Sequence, residues 1–193
     1  MKFLILISCL MVSLFGIDNT IQLQFNDKDI MLDYKIDITD SKTPNDNLNF
    51  GITYLNLSHD DNPSLYIDKY LNIYFEMEEK FKNNFEVGIG YKVLYSTSSN
   101  GKDDFYGLPI YLNLNYNLKN KVLPIKIKTQ FVYGPKVLTF SEGESYFETN
   151  IGISFDVIKN ASVILNYKYI DMEYVDYNLR VDNNYYIGLE FRF

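Results

Sequence analysis

The chain has 193 residues, with 25 acidic against 18 basic side chains, one histidine, one cysteine, 18 tyrosines, 14 phenylalanines and no tryptophan. A net charge of −7 argues against a nucleic-acid partner, which calls for a basic stripe, and a single thiol rules out a disulfide framework. The length admits one domain with a sizeable core or one small closed barrel.

The first sixteen residues read as a secretory leader. Met1-Lys2 is a short basic segment, Phe3 to Leu14 is an apolar stretch, and Gly16 offers a small residue to a signal peptidase. The apolar stretch is too short for a transmembrane helix, which needs roughly 20 residues. Cys9 falls inside this leader, so the mature chain, residues 17–193, is expected to carry no thiol. Losing Lys2 leaves 17 basic against 25 acidic residues.

Beyond residue 16 no apolar run is long enough to cross a bilayer as a helix, and the pattern that persists has period 2. Segments 20–25 and 29–39 form a first hairpin, in which Ile30, Leu32, Tyr34, Ile36 and Ile38 alternate with Met31, Asp33, Lys35 and Asp37. Segment 48–58 follows the rule less cleanly. In 66–80, Leu71, Ile73, Phe75 and Met77 alternate with Asn72, Tyr74, Glu76 and Glu78. In 85–96, Phe85, Val87, Ile89, Tyr91 and Val93 alternate with Glu86, Gly88, Gly90 and Lys92. Segment 105–118 is the clearest: Ile110, Leu112, Leu114, Tyr116 and Leu118 take one face, and Tyr111, Asn113, Asn115 and Asn117 take the other. Segments 123–139, 145–158, 161–174 and 184–193 complete the series.

Stretches of about 10 residues, apolar on one face and polar on the other, are what a transmembrane barrel requires. A soluble antiparallel sheet also alternates. Two features favour the membrane. Charges such as Asp33, Lys35, Glu76 and Lys92 sit at mid-strand on the polar face. Short connections at 80–84, 119–121 and 159–160 also alternate with longer ones at 59–64, 96–104 and 176–184, as periplasmic turns and outer loops do. The expected fold is all-β: a closed, antiparallel, up-and-down transmembrane barrel of about ten strands, with eight strands plus a separate N-terminal hairpin as the alternative.

The last strand supplies a more specific signal. Tyr185, Ile187, Leu189, Phe191 and Phe193 point one way, and this pattern resembles the signal read by the barrel-assembly machinery. Tyr167 to Glu173 and the Tyr186-Ile187-Gly188-Leu189 segment resemble the last two strands of the YfaZ family of predicted outer-membrane proteins. A turn near Thr43-Pro44 and acidic Asp60-Asp61 fall in comparable places. The resemblance implies an outer-membrane barrel reached by export and carries no established activity.

The polar face is expected to line the lumen with Asp33, Lys35, Glu76, Lys92, Asn113 and Asn115 from the first strands. Lys126, Lys128, Glu148, Asn166, Lys168, Glu190 and Arg192 follow from the later ones. Charges in so narrow a space must pair, so an ion-paired plug is expected, with a slim pore for ions or small polar solutes as the functional alternative. Outward Tyr91, Tyr95, Tyr116, Tyr133 and Tyr169 are expected to form interfacial girdles. His59, beside Ser58 and the two aspartates, is the one hydrolase candidate. Adjacent strand residues face opposite ways, so a serine partner would come from Ser98, Ser99 or Ser141, and a solvated loop histidine is the simpler reading. Asp103-Asp104, Glu142, Glu144, Asp176 and Asp182 make the expected outer loops acidic. Their spacing matches no calcium loop, and no metal or cofactor is expected. The expected role is structural in the envelope, in contact with lipid and lipopolysaccharide, as a monomer. A surface interaction protein using the acidic loops is the alternative, and an enzyme is not expected.

Overall fold

The computed structural model describes residues 18–38, 46–57, 67–81, 84–98, 104–118 and 124–193. The leader, His59, Ser58, Ser99, Asp60-Asp61, Asp103 and Thr43-Pro44 lie outside them. The described residues form a single antiparallel sheet and no α-helix.

Ten positions around the wall are filled by β1 (Asn19–Phe25), β2 (Ile30–Asp37), β3 (Asp46–Asn56), β4 (Ile67–Lys80), β5 (Phe85–Ser98), β7 (Ile110–Leu118), β8 (Ile125–Gly134), β10 (Gly143–Ile158), β11 (Ala161–Tyr174) and β12 (Asn178–Arg192). Each pairs with the next, and β1 pairs with β12 from Thr20↔Arg192 to Phe25↔Ile187. That ladder closes the cylinder. It also settles the strand count, because the N-terminal hairpin is part of the wall and the eight-strand alternative falls.

Two short strands, β6 (Phe105–Gly107) and β9 (Thr139–Phe140), extend the wall at one end. They correct two expected boundaries. Pro109, which lacks a backbone donor, interrupts segment 105–118 after Leu108. Pro135 and a 3-10 turn over Lys136–Leu138 interrupt segment 123–139. A third correction concerns 176–184, expected as a loop. β12 begins at Asn178, and a bulge lets Ile170↔Asp182 be followed by Asp171↔Arg180.

The end bearing Asn19 and Phe193 is here called the base, and the opposite end the crown. The wall is uneven in height: β1 has 7 residues and β10 has 16. Above the short β1–β2 hairpin, Asp29 bridges to β12 instead, accepting hydrogen bonds from Asn184 Nδ2 at 3.2 Å and the Tyr186 hydroxyl at 3.3 Å.

The alternation sets the two faces as expected. Leu32, Leu71, Ile89, Ile110, Phe131, Ile151, Leu165 and Ile187 are exposed on the outside. Asn49, Asn72, Glu76, Lys92, Glu148, Asn166 and Lys168 are buried inside. An apolar belt of this extent has no stable place in water. In a bilayer it is solvated by hydrocarbon, while closure satisfies every interstrand backbone bond. The chain is an outer-membrane β-barrel. Tyr91, Tyr95, Tyr116 and Tyr133 lie exposed on that outer surface.

Candidate functional site

Among the described residues the lumen gathers the polar side chains, and it has two unlike halves. Toward the base lies a cavity of about 470 Å³. All thirteen residues expected on the lumen face line it: Asp33, Lys35, Glu76, Lys92, Asn113, Asn115, Lys126, Lys128, Glu148, Asn166, Lys168, Glu190 and Arg192. Gln22, Gln24, Gln130 and Asn150 add further carboxamides. These side chains meet because every second residue of a strand points inward and closure brings strands distant in sequence to opposite walls.

The charges are largely paired. Near the base, Lys126 Nζ lies 2.6 Å from Glu86 Oε2, Lys128 Nζ 2.5 Å from Glu190 Oε2, and Arg192 Nη2 2.5 Å from Asp156 Oδ1. Gln22 Nε2 donates a further bond to Glu190 at 2.7 Å. Higher up, Asp33 accepts from Thr53 at 2.6 Å and Tyr74 at 3.2 Å, and Glu76 accepts from Asn113 at 2.8 Å.

At mid-height the strongest cluster spans the lumen. Glu148 on β10 is held by Lys92 Nζ from β5 at 2.8 Å and by Lys168 from β11. The Tyr146 and Tyr70 hydroxyls donate to the same carboxylate at 2.8 and 3.1 Å. Lys92 also donates to Gln130 at 3.0 Å and lies over the Tyr111 ring. Glu148 has 0% exposed side chain against 12% for Glu86, so burial of the charges increases from base to centre.

Above that cluster the lumen turns apolar. Met31, Leu55, Tyr70, Leu94, Phe105, Val132, Tyr146, Ile170, Met172 and Leu179 form one packed cluster, each at most 8% exposed. Phe105 stands at the centre of an aromatic group, with ring centroids 5.9 Å from Tyr146 and 5.7 Å from Tyr174. Ser96 Oγ on β5 reaches Met172 Sδ on β11 at 3.7 Å, bridging the lumen. Two glycines lower in the wall make room for side chains that line the polar cavity. A Cβ at Gly51 would stand 2.2 Å from the Tyr74 ring, and one at Gly88 would stand 1.9 Å from Glu76 Oε1.

Sequence reasoning missed the apolar part of the plug. It assigned closure to charge alone, whereas aromatic and aliphatic side chains close the crown half. A signal was available: Tyr70, Tyr111, Tyr146, Ile170 and Met172 occupy the inward parity of their strands. Asp182, expected in an acidic loop, is instead buried on β12 and accepts from the Tyr186 hydroxyl at 2.8 Å.

A family described as "YfaZ precursor" matches residues 74–193, from β4 through the closing strand. The chain belongs to the YfaZ family. No curated protein sequence matches it. Among solved structures it is similar to the in-vitro folded outer membrane protein OmpT of Vibrio cholerae, trimer form, at 15% identity and a TM-score of 0.44, covering 86% of this chain and 56% of that one. Outer-membrane expressed OmpT of Vibrio cholerae gives 13% identity and 0.45, covering 89% and 64%. A bacterial polysaccharide outer membrane secretin gives 9% and 0.42, covering 90% and 69%. The chain thus spans less than two thirds of either OmpT chain.

Proposed function

We propose that this YfaZ-family barrel is a structural element of the outer membrane whose lumen does not conduct, with its base toward the periplasm. The observation that carries the reading is the plug. Nine of the ten wall positions send an apolar side chain into one buried cluster, and the Lys92–Glu148–Lys168 group lies directly beneath it. Close-packed side chains leave no room for a hydrated ion, and a barrel of this strand number has little space to spare. Its partners are lipid and lipopolysaccharide on the outer surface, and the barrel-assembly machinery, which reads Tyr185, Ile187, Leu189, Phe191 and Phe193 during insertion. It works as a monomer, and no catalytic role is assigned.

Planar-bilayer recording tests this directly. The purified protein is expected to insert without unitary conductance steps; reproducible steps of fixed size would overturn the reading. A narrow pore for ions or small polar solutes is the second reading, favoured by the 470 Å³ polar cavity beneath the plug.

A further inference from the structure

Among the described residues the cavity reaches toward the base, where Lys126 and Arg192 are part-exposed, and lies beneath a packed roof. We propose that it is a binding site for a small neutral, hydroxyl-rich solute of saccharide type that enters from the periplasmic side. This inference rests on the closed-lumen reading above.

Charge comes first. The lining carries six acidic and six basic side chains. Nine of these twelve are already engaged in the Lys92–Glu148–Lys168, Lys126–Glu86, Lys128–Glu190 and Arg192–Asp156 contacts. An ionic ligand seated on those nine groups would have to separate a pair and leave a buried charge uncompensated, which is strongly unfavourable. The remaining acids, Asp33 and Glu76, already accept hydrogen bonds from Thr53, Tyr74 and Asn113. Lys35 stands apart, with no ion pair or hydrogen bond among the described residues. Its surroundings are nonetheless acidic, since Asp33, Glu76, Glu78 and Glu190 act on it. An anion drawn to this ammonium group would meet four carboxylates. A neutral partner avoids both penalties.

Hydrogen-bonding capacity points the same way. The Lys35 ammonium offers three donors and no acceptor. Asn115, 5% exposed, lines the cavity with its carboxamide, and Asn150 Oδ1 is buried without a hydrogen-bond partner among the described residues. Together they present donors and acceptors from β2, β7 and β10, on different walls of the cavity. A hydroxyl both donates and accepts, so a polyol can satisfy all three without disturbing an ion pair. Size agrees: about 470 Å³ lies within the range of roughly 300–1,000 Å³ typical of small-molecule sites.

The test uses the barrel purified from outer membranes in detergent, with trehalose as the neutral probe and glucuronate and glucosamine as charged controls of similar chemistry. Saturation-transfer NMR is expected to show saturable trehalose binding and none for either control. Asn115→Leu and Lys35→Met are each expected to weaken trehalose binding at least about ten-fold, with folding checked by heat-modifiable gel mobility. Absence of saturable trehalose binding, which would leave water as the only occupant, overturns the inference. Equal binding of the charged sugars overturns it too. The selectivity of the wild-type protein needs no variant, so a mutant that fails to fold leaves the test intact. Conductance steps in a bilayer would sink the closed-lumen reading, while a lack of trehalose binding in a silent barrel would sink only this one.

Discussion

The two halves of the lumen solve one problem by different means. At the base, polar side chains are joined by ion pairs that keep some contact with water, as the 31% exposed Lys126 and 12% exposed Glu86 illustrate. At the crown, Phe105, Tyr146, Tyr174 and their neighbours pack against one another and are almost fully buried. The Glu148 cluster marks the border, where charges are fully buried yet a single carboxylate receives two lysines and two tyrosine hydroxyls. Pairs of similar geometry therefore have very different worth. Desolvation raises the cost of breaking a contact, and water near the mouth screens it.

That contrast can be broken most severely at the border. Glu148→Gln would leave Lys92 and Lys168 without a counter-charge in a buried space, at a cost of about 3–5 kcal/mol. The expected result is a large drop in the urea midpoint of refolded protein; an unchanged midpoint would mean the cluster is wetter than its burial implies. In the crown half, Phe105→Ala removes the central ring and is expected to cost about 3 kcal/mol by cavity formation, read by the same unfolding assay. Packing at the β3–β4 wall is probed by Gly51→Ala. Its new methyl would meet the Tyr74 ring, and overpacking of this kind costs about 1–3 kcal/mol, visible as a lowered thermal midpoint. The smallest effect belongs to the mouth. Lys126→Ala is expected to change stability by less than about 1 kcal/mol, and a loss as large as that of Glu148→Gln would erase the distinction between the halves.

Some of this site is legible in the sequence alone. Asp33, Lys92, Lys128, Glu148 and Lys168 declared their inward direction by parity, because a strand allows only two faces. Their pairing was foreseeable in kind but not in partner. Lys92 and Glu148 are 56 residues apart and meet only because the sheet closes, and nothing local distinguishes Glu148 from Glu76 as the recipient of two lysines. Asp182 shows the converse. Its acidic, turn-like neighbourhood reads as a loop, but β12 keeps its register as far as Ile170↔Asp182 and gives Asp182 the inward parity of Tyr186, while the bulge beyond it turns Val181 and Leu179 inward as well.

The amino-acid sequence by itself determined the class of structure. A period of two, sustained over ten segments, gives each strand an oily and a wet face, and a chain with such faces can cross a bilayer only by closing on itself. The tertiary structure decided what the enclosed space became. Strand length and register bring tyrosines and aliphatic side chains from opposite walls into contact near the crown, while the clearance at Gly51 and Gly88 admits Tyr74 and Glu76 to the polar cavity below. Those are distances across the barrel, and no alternation along a strand encodes them.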